Sequence, residues 1–222
     1  MKTTKASLLA IFLLLTLSAG AQKTDSGANF EPLLSIRFGT MFTRILDKDL
    51  WGAQFGFSVF VSPRWTTGIS IGGGSRKTNQ TFSFTVLKPV VDYYELSWRN
   101  EYELYNKGRI RAGLMLDNGL AYARLGDNAF KTSYSTRYGK RYRSKEISTD
   151  YFYLFQPGCS VSLSLGRPSA SSEILLSGTA QYRMVWGNPK YGDVNQFRNY
   201  SFGLMLNIIG MDYPGKKKKP AH

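Results

Sequence analysis

Residues 199–209, NYSFGLMLNII, alternate strictly. Tyr200, Phe202, Leu204, Leu206 and Ile208 fall on one side, and Ser201, Gly203, Met205 and Asn207 on the other. Successive side chains of a strand point to opposite faces, so this segment reads as a strand with one large apolar face and one small or polar face. A soluble sheet turns its apolar face to a core. A closed barrel in lipid turns it outward and points the small face into a narrow lumen. The remaining segments decide between the two.

Seven more segments alternate in the same sense. Over 34–43, Leu34, Ile36, Phe38 and Phe42 oppose Ser35, Arg37, Gly39 and Met41. Over 51–61, Trp51, Phe55, Phe57 and Val59 oppose Gly52, Gln54, Gly56 and Ser58. Over 65–74, Trp65, Ile69 and Ile71 oppose Gly68, Ser70 and Gly72. Strand 91–105 sets Tyr94, Leu96, Trp98 and Tyr102 against Glu95, Ser97, Arg99, Glu101 and Glu103. Strand 109–122 sets Ile110, Leu114, Leu116 and Leu120 against Arg109, Arg111, Gly113, Met115 and Asp117. Strand 150–165 sets Tyr151, Tyr153, Phe155, Val161 and Leu163 against Gln156, Gly158, Ser160 and Ser162. Strand 172–186 sets Ile174, Leu176, Tyr182 and Trp186 against Glu173, Ser177, Thr179, Gln181 and Arg183.

A soluble calyx would line its cavity with Arg, Glu, Gly and Ser and carry Phe, Leu and Trp outside, a surface that aggregates in water. The fold expected is therefore all-β: an eight-stranded antiparallel up-and-down transmembrane β-barrel over 33–210. Closure removes sheet edges, whose unpaired backbone lipid cannot satisfy. Trp51, Trp65, Tyr94, Tyr122, Tyr151, Trp186 and Tyr200 lie near strand ends, as aromatic girdles at the headgroups do.

The connections at 62–64, 106–108 and 166–171 are short. Those at 75–90, 126–149 and 187–197 are long, and 46–50 on their rim is short. Within them Thr81–Leu87 alternates well enough to extend a strand, and 126–149 reads as the longest loop, too polar to bury. Pro157 argues for a bulge, because proline donates nothing to the ladder. Asn100 and Asn118 break the outward apolar faces and are further bulge candidates.

Residues 1–21 combine Lys2 and Lys5, an apolar run from Ala6 to Leu17 and Ser18-Ala19-Gly20-Ala21. A basic start, a short apolar core and an A-x-A site read as a secretory signal peptide. The alternative, a membrane anchor, needs about 20 apolar residues. Residues 22–32 form a polar lead and 211–222 a basic tail containing Lys216–Lys219. That tail is expected on the periplasmic side, near anionic headgroups or peptidoglycan, or as a plain solubilising terminus. Cys159 is the single cysteine, so no internal disulfide framework exists; it is expected to be an inert buried thiol.

The formal charge of +14 raises a nucleic-acid reading, which its distribution opposes. Two positives lie in the signal, four in the tail and six between Lys131 and Lys145. Basic loops on an exported chain meet lipopolysaccharide, anionic headgroups or polysaccharide, or form a solvated surface. Within 126–149, Tyr134, Arg137, Tyr138, Lys140, Arg141, Tyr142 and Arg143 are the loop binding candidates, since aromatic and arginine side chains dominate interfaces.

The chain resembles the small outer-membrane β-barrels of Gram-negative bacteria, the OmpA-like or porin-like class, over roughly 30 to 210. Ser201, Gly203, Leu206 and Ile208 resemble the insertion signal that the barrel-assembly machinery reads: polar, any, Gly, two any, hydrophobic, any, hydrophobic. The resemblance implies location in the outer membrane and that machinery as a transient partner. It departs in one respect, because the signal is followed by residues up to His222 rather than closing on a terminal aromatic.

An eight-stranded barrel is only wide enough for side chains to fill. Its inward charges are Arg37, Arg99, Arg109, Arg111 and Arg183 against Glu95, Glu101, Glu103, Asp117 and Glu173. Pairing across the 106–108 turn puts Glu103 near Arg111, and arginine forks bind carboxylates in two-pronged fashion. This network is expected to plug the lumen. A serine nucleophile needs a base, yet the one histidine is His222, so no histidine-based catalytic constellation exists. No metal-ligand or cofactor motif is present. Three functions follow, in order: a structural or binding barrel acting through its loops or within a larger outer-membrane assembly, a narrow channel for small solutes, and a lipid-modifying enzyme.

Overall fold

In the computed structural model, residues 33–82, 85–166 and 173–211 are described. The signal, the polar lead and the basic tail after Met211 lie outside them.

A sheet of alternating strands can enclose one face by curling on itself, and these strands do so. They are β1 (Leu34–Ile45), β2 (Lys48–Ser62), β3 (Trp65–Lys77), β4 (Pro89–Lys107), β5 (Ile110–Thr136), β6 (Gly139–Ser164), β7 (Glu173–Trp186) and β8 (Asn199–Met211). Each pairs antiparallel with its neighbours, and β8 returns to β1, closing the barrel in sequence order. Phe38 faces Leu206 and Met41 faces Gly203 across that seam.

The start of β1, the end of β8 and the connections after β2, β4 and β6 share one rim, called here the terminal rim. Those after β1, β3, β5 and β7 share the other, the loop rim. The β1–β2 turn is Leu46–Asp47, both at positive φ (49° and 57°), the left-handed pair that matches strand twist in a two-residue hairpin. Leucine is an unfavourable residue there, but its side chain is buried in the loop-rim core.

Several expectations are corrected. Residues 126–149 are not a loop. β5 and β6 run on, pairing Lys131 with Ser144 through Thr136 with Gly139, and project as a two-stranded ribbon closed by Gly139 at φ 113°. Thr81–Leu87 forms no strand among its described residues; Phe82 and Val86 pack on the loop-rim core. Pro157 makes no bulge. It pairs straight with Leu116 and leaves only a gap in the β6–β7 ladder, between Phe155–Met184 and Gly158–Gln181. Register also runs unbroken through Asn100 and Asn118, whose side-chain amides bond Thr67 Oγ1 and the Trp98 carbonyl. The shift in β4 falls instead between Glu103 and Tyr105. Cys159 is exposed on the outer face rather than buried.

The outer face carries a belt of exposed apolar side chains on all eight strands, including Phe38, Phe55, Ile69, Leu96, Leu114, Val161, Leu176 and Leu204. Aromatic contacts edge it on the loop rim: Tyr94–Tyr122–Tyr151, Tyr153–Trp186, Tyr182–Tyr200 and Phe202–Phe42–Trp51. Gly73 makes room for one of these rings, since a Cβ there would lie 2.4 Å from Tyr94 Cδ1. Trp65 and Tyr102, 5.9 Å apart, mark the other edge. Between Tyr94 and Tyr102 the strand advances roughly 26 Å, a height of about 20 Å at the usual tilt of such barrels.

Candidate functional site

The interior has two storeys. Toward the terminal rim it is polar. Arg99 grips Asp117 through Nε (2.8 Å) and Nη2 (2.5 Å), and Gln181 Nε2 donates to the same carboxylate at 2.9 Å. Arg37 donates to Glu101 (2.7 Å) and to Ser58 Oγ (2.9 Å), while Ser160 Oγ donates to the other Glu101 oxygen at 2.5 Å. Arg111 bonds Glu173 and lies 3.6 Å from Glu103. Some of these bonds follow the wall between neighbouring strands, as Arg99–Asp117 and Arg37–Ser58 do, and others reach strands that are not neighbours, as Arg37–Glu101, Gln181–Asp117 and Arg111–Glu173 do. The space left near the terminal rim is about 40 Å³, room for a few waters and not for a solute.

Gly203 on β8 belongs to this packing. A Cβ there would approach Thr179 Oγ1 to 2.6 Å, so the small residue clears space for lumen side chains. Its neighbour Met205 is buried, with Sδ 4.0 Å from Arg99 Nη1. Ser201 also faces inward and is buried; Leu206 and Ile208 lie on the opposite face of β8.

Toward the loop rim the interior is apolar. Val91, Tyr93, Ala121, Ala123, Leu125, Phe152, Leu154 and Val185 of the wall meet Leu46, Tyr191 and Phe197 of the connections. The Phe152 and Phe197 rings are 4.7 Å apart. Phe197 ends a 3₁₀ turn, Val194–Phe197, capped by Asp193 and Gln196. Backbone and side-chain bonds pin this connection over the mouth. Leu46 N donates to Gln196 O (2.9 Å), Arg198 Nε to Val185 O (3.1 Å), and Lys190 N to both Asp150 oxygens (3.0 Å). Burial pushes the Tyr191 hydroxyl above its ordinary pKa, and Asp150 adds to the effect.

Arg183 stands between the storeys, fully buried. It donates to Thr43 Oγ1, to Arg44 O (3.1 Å) and to Phe197 O (3.0 Å), and its guanidinium lies 4.9 Å from the Tyr93 ring centroid. Tyr93 OH and Gln156 Nε2 both donate to Glu95 at 3.1 Å. Of the ten inward charges expected, nine face the lumen. The tenth, Arg109, is exposed in the β4–β5 turn and has no ion-pair partner among the described residues.

Alternation carried the polar storey but not the apolar one. The signal was present in 151–155, which is apolar on both faces at its loop-rim end, a mark of a strand covered on both sides. The contribution of Tyr191 and Phe197 follows only from how their connection folds.

The loop candidates lie on the projecting ribbon. Tyr138 is 87 % exposed, Tyr142 67 % and Tyr134 47 %; Arg137, Lys140 and Arg143 are also exposed, and Arg141 is paired through its backbone with Tyr134. At the ribbon's base Asp127 accepts from Leu87 N (2.9 Å), Lys88 N (3.0 Å) and Ala129 N (2.8 Å). Desolvation raises this carboxyl, but the three backbone donors, helped by Lys145, outweigh it and hold it below the usual range. Beside it Asp92 pairs with Arg124, a contact that sequence reading missed because both residues sit on the nominally apolar outer face. Among the described residues no group of three or more His, Cys, Asp or Glu could hold a metal ion.

No family model matches the chain. No curated protein matches it. Solved structures of similar fold include Ail, the attachment invasion locus protein of Yersinia pestis, in complex with the heparin analogue sucrose octasulfate, at 14% identity over 81% of this chain and 97% of that one, TM-score 0.44. Neisserial surface protein A is another, at 9% identity over 81% and 96%, TM-score 0.48. A major outer membrane protein from Thermus thermophilus is a third, at 11% identity over 82% and 99%, TM-score 0.46. The barrel assignment rests on the strand pairing of this chain itself.

Proposed function

We propose that the protein is an integral outer-membrane barrel with a filled lumen that works through its surface ribbon, as a binding protein or as a subunit of a larger envelope assembly. The observation that carries this reading is the pairing of an apolar exterior with a closed interior. Water does not tolerate an exposed apolar belt on every strand, whereas hydrocarbon requires one. With both storeys filled, what remains to act is the ribbon of β5 and β6, rich in exposed Tyr, Arg and Lys.

In this reading the lumen ion pairs replace an apolar core, and Ser201, Gly203, Leu206 and Ile208 present the β8 signal to the barrel-assembly machinery. Residues 1–21 direct export and 211–222 face the periplasm. The ribbon meets a protein or polysaccharide partner, and nucleic acid is not a partner.

Two measurements test it. Unboiled protein in SDS is expected to migrate faster than boiled protein and to fractionate with outer membranes; recovery in the soluble periplasm contradicts the membrane reading. Replacing 128–144 by an Asn-Gly turn, which rejoins the paired Asp127 and Lys145, is expected to leave the heat-modifiable barrel intact and abolish surface binding. Unchanged binding moves the function elsewhere on the molecule.

A further inference from the structure

Where the ribbon leaves the barrel, the outer face opens into a cleft of about 550 Å³ between the loop-rim ends of β3 and β4 and the strands of the ribbon. Arg76, Lys77, Tyr94, Arg124, Tyr142 and Arg143 are among its walls. Its one carboxylate, Asp92, is already engaged. It accepts from Ser75 Oγ at 2.5 Å and from both Nε and Nη2 of Arg124, and Arg124 is tied further to Ser144. Arg124 and Asp92 are thus a buried neutral floor. The other cations are not neutralised. Arg76 and Lys77 are exposed with no ion pair among the described residues, and Arg143, with a half-exposed side chain, reaches Asp92 only at 3.9 Å. Three cations therefore line a cleft whose floor does not balance them.

Depth identifies the ligand. Tyr94 belongs both to the cleft and to the Tyr94–Tyr122–Tyr151 row that edges the apolar belt. Tyrosines in such rows sit among lipid headgroups. The cleft opens outward at that level, so what lies against it is the polar end of an outer-leaflet lipid. We propose that it binds the phosphate group of a phosphorylated lipid headgroup. Arg76, Lys77 and Arg143 supply charge-assisted hydrogen bonds to phosphate oxygens, and Tyr142 and Tyr94 supply flat faces and hydroxyls for an attached sugar. The site rests on the membrane reading above and deepens it, because it places the ribbon's base on the lipid surface rather than free of it.

The test uses the full chain. Wild type and the triple variant Arg76→Gln/Lys77→Gln/Arg143→Gln are reconstituted into phosphatidylcholine vesicles containing a minor fraction of either bisphosphorylated or dephosphorylated lipid A. They are then extracted, and retained lipid A is counted by native mass spectrometry. Lys107→Gln/Arg109→Gln, at the opposite rim, is the control, and heat-modifiability reports folding of each. Wild type and control are expected to retain the bisphosphorylated form over the dephosphorylated form, and the triple variant to lose that preference by at least about tenfold.

Equal retention by folded wild type and triple variant overturns the site. A wild type that inserts in vesicles, shows no preference for phosphorylated lipid and is captured on sulfated polysaccharide through the same three residues overturns it in favour of a soluble glycan. Failure of wild type to enter vesicles at all overturns the membrane reading together with this one. Competition by millimolar inorganic phosphate with no lipid retention identifies a free anion site instead.

Discussion

The two storeys of the interior are built from the same alternating strands yet solve different problems. The terminal-rim storey is polar because its inward residues are Arg, Glu, Asp, Gln and Ser. It holds together because nearly every charge finds a partner, on the neighbouring strand as Arg99 does in Asp117, or beyond it as Arg37 does in Glu101. The loop-rim storey is apolar and cannot be sealed by the wall alone. It takes Leu46 from one connection and Tyr191 and Phe197 from another to close it. The polar storey is therefore a property of the barrel, and the apolar storey a property of the barrel with its lid. Arg183 couples them, sitting in the wall while bonding the lid carbonyl of Phe197.

The largest expected effect comes from breaking the polar storey. Asp117→Ala strands Arg99 without its carboxylate, and removing one partner of a buried pair destabilises by about 3–5 kcal/mol. Reversible urea unfolding in lipid vesicles measures it, and Arg99→Met/Asp117→Leu is expected to recover most of the loss. The lid does not permit such a rescue. Phe197→Ala deletes a fully buried ring and is expected to cost about 3–4 kcal/mol. Its signature is local, with fast hydrogen exchange over 187–198 while the terminal-rim strands stay protected. If both variants loosen both storeys equally, the distinction between wall and lid fails.

The exterior sharpens the comparison. Leu204→Lys on the apolar belt is expected to destabilise by about 2–3 kcal/mol in a bilayer. Facing alone would make the same change at Met205 milder, because Met205 lies on the lumen side of β8. The structure reverses that ranking: Met205 is buried 4.0 Å from Arg99 Nη1, so a second cation there meets both desolvation and repulsion. Unfolding curves of the two variants decide the order.

The smallest effect is at the ribbon's base. The folded Asp127 carboxyl titrates below its unfolded value. Its stabilisation is therefore complete above the ordinary carboxylate pKa of about 4 and is lost as pH falls through the lower folded value. Protection factors against amide exchange at Leu87, Lys88 and Ala129 are expected to fall on acidification in wild type and to be low and pH-insensitive in Asp127→Ala.

Strand number, order and facing were legible because one period-2 pattern repeats eight times, and Glu103 comes within 3.6 Å of Arg111 as a diagonal neighbour in a hairpin whose register sets Arg111 opposite Asn106. The ribbon was not legible. Over 127–146 serine, tyrosine, lysine and arginine alternate with one another, so neither face is apolar and no period stands out, although the backbone pairs as regularly as in the barrel. Asp92 and Arg124 were missed for a related reason: they occupy outward positions in two apolar runs, and only their position above the Tyr94–Tyr122 row explains why charge is tolerated there. Arg109 was misplaced by carrying alternation one residue too far into a turn.

Cys159, the chain's one cysteine, lies on the outer face between Leu114 and Ala180 and allows the central claim to be tested without mutation. A fluorophore on its thiol, in protein refolded into vesicles, is expected to be quenched by lipids carrying nitroxide on their acyl chains and to be insensitive to aqueous iodide. Quenching by iodide and not by the lipid nitroxide would contradict a barrel that turns its apolar face to the membrane.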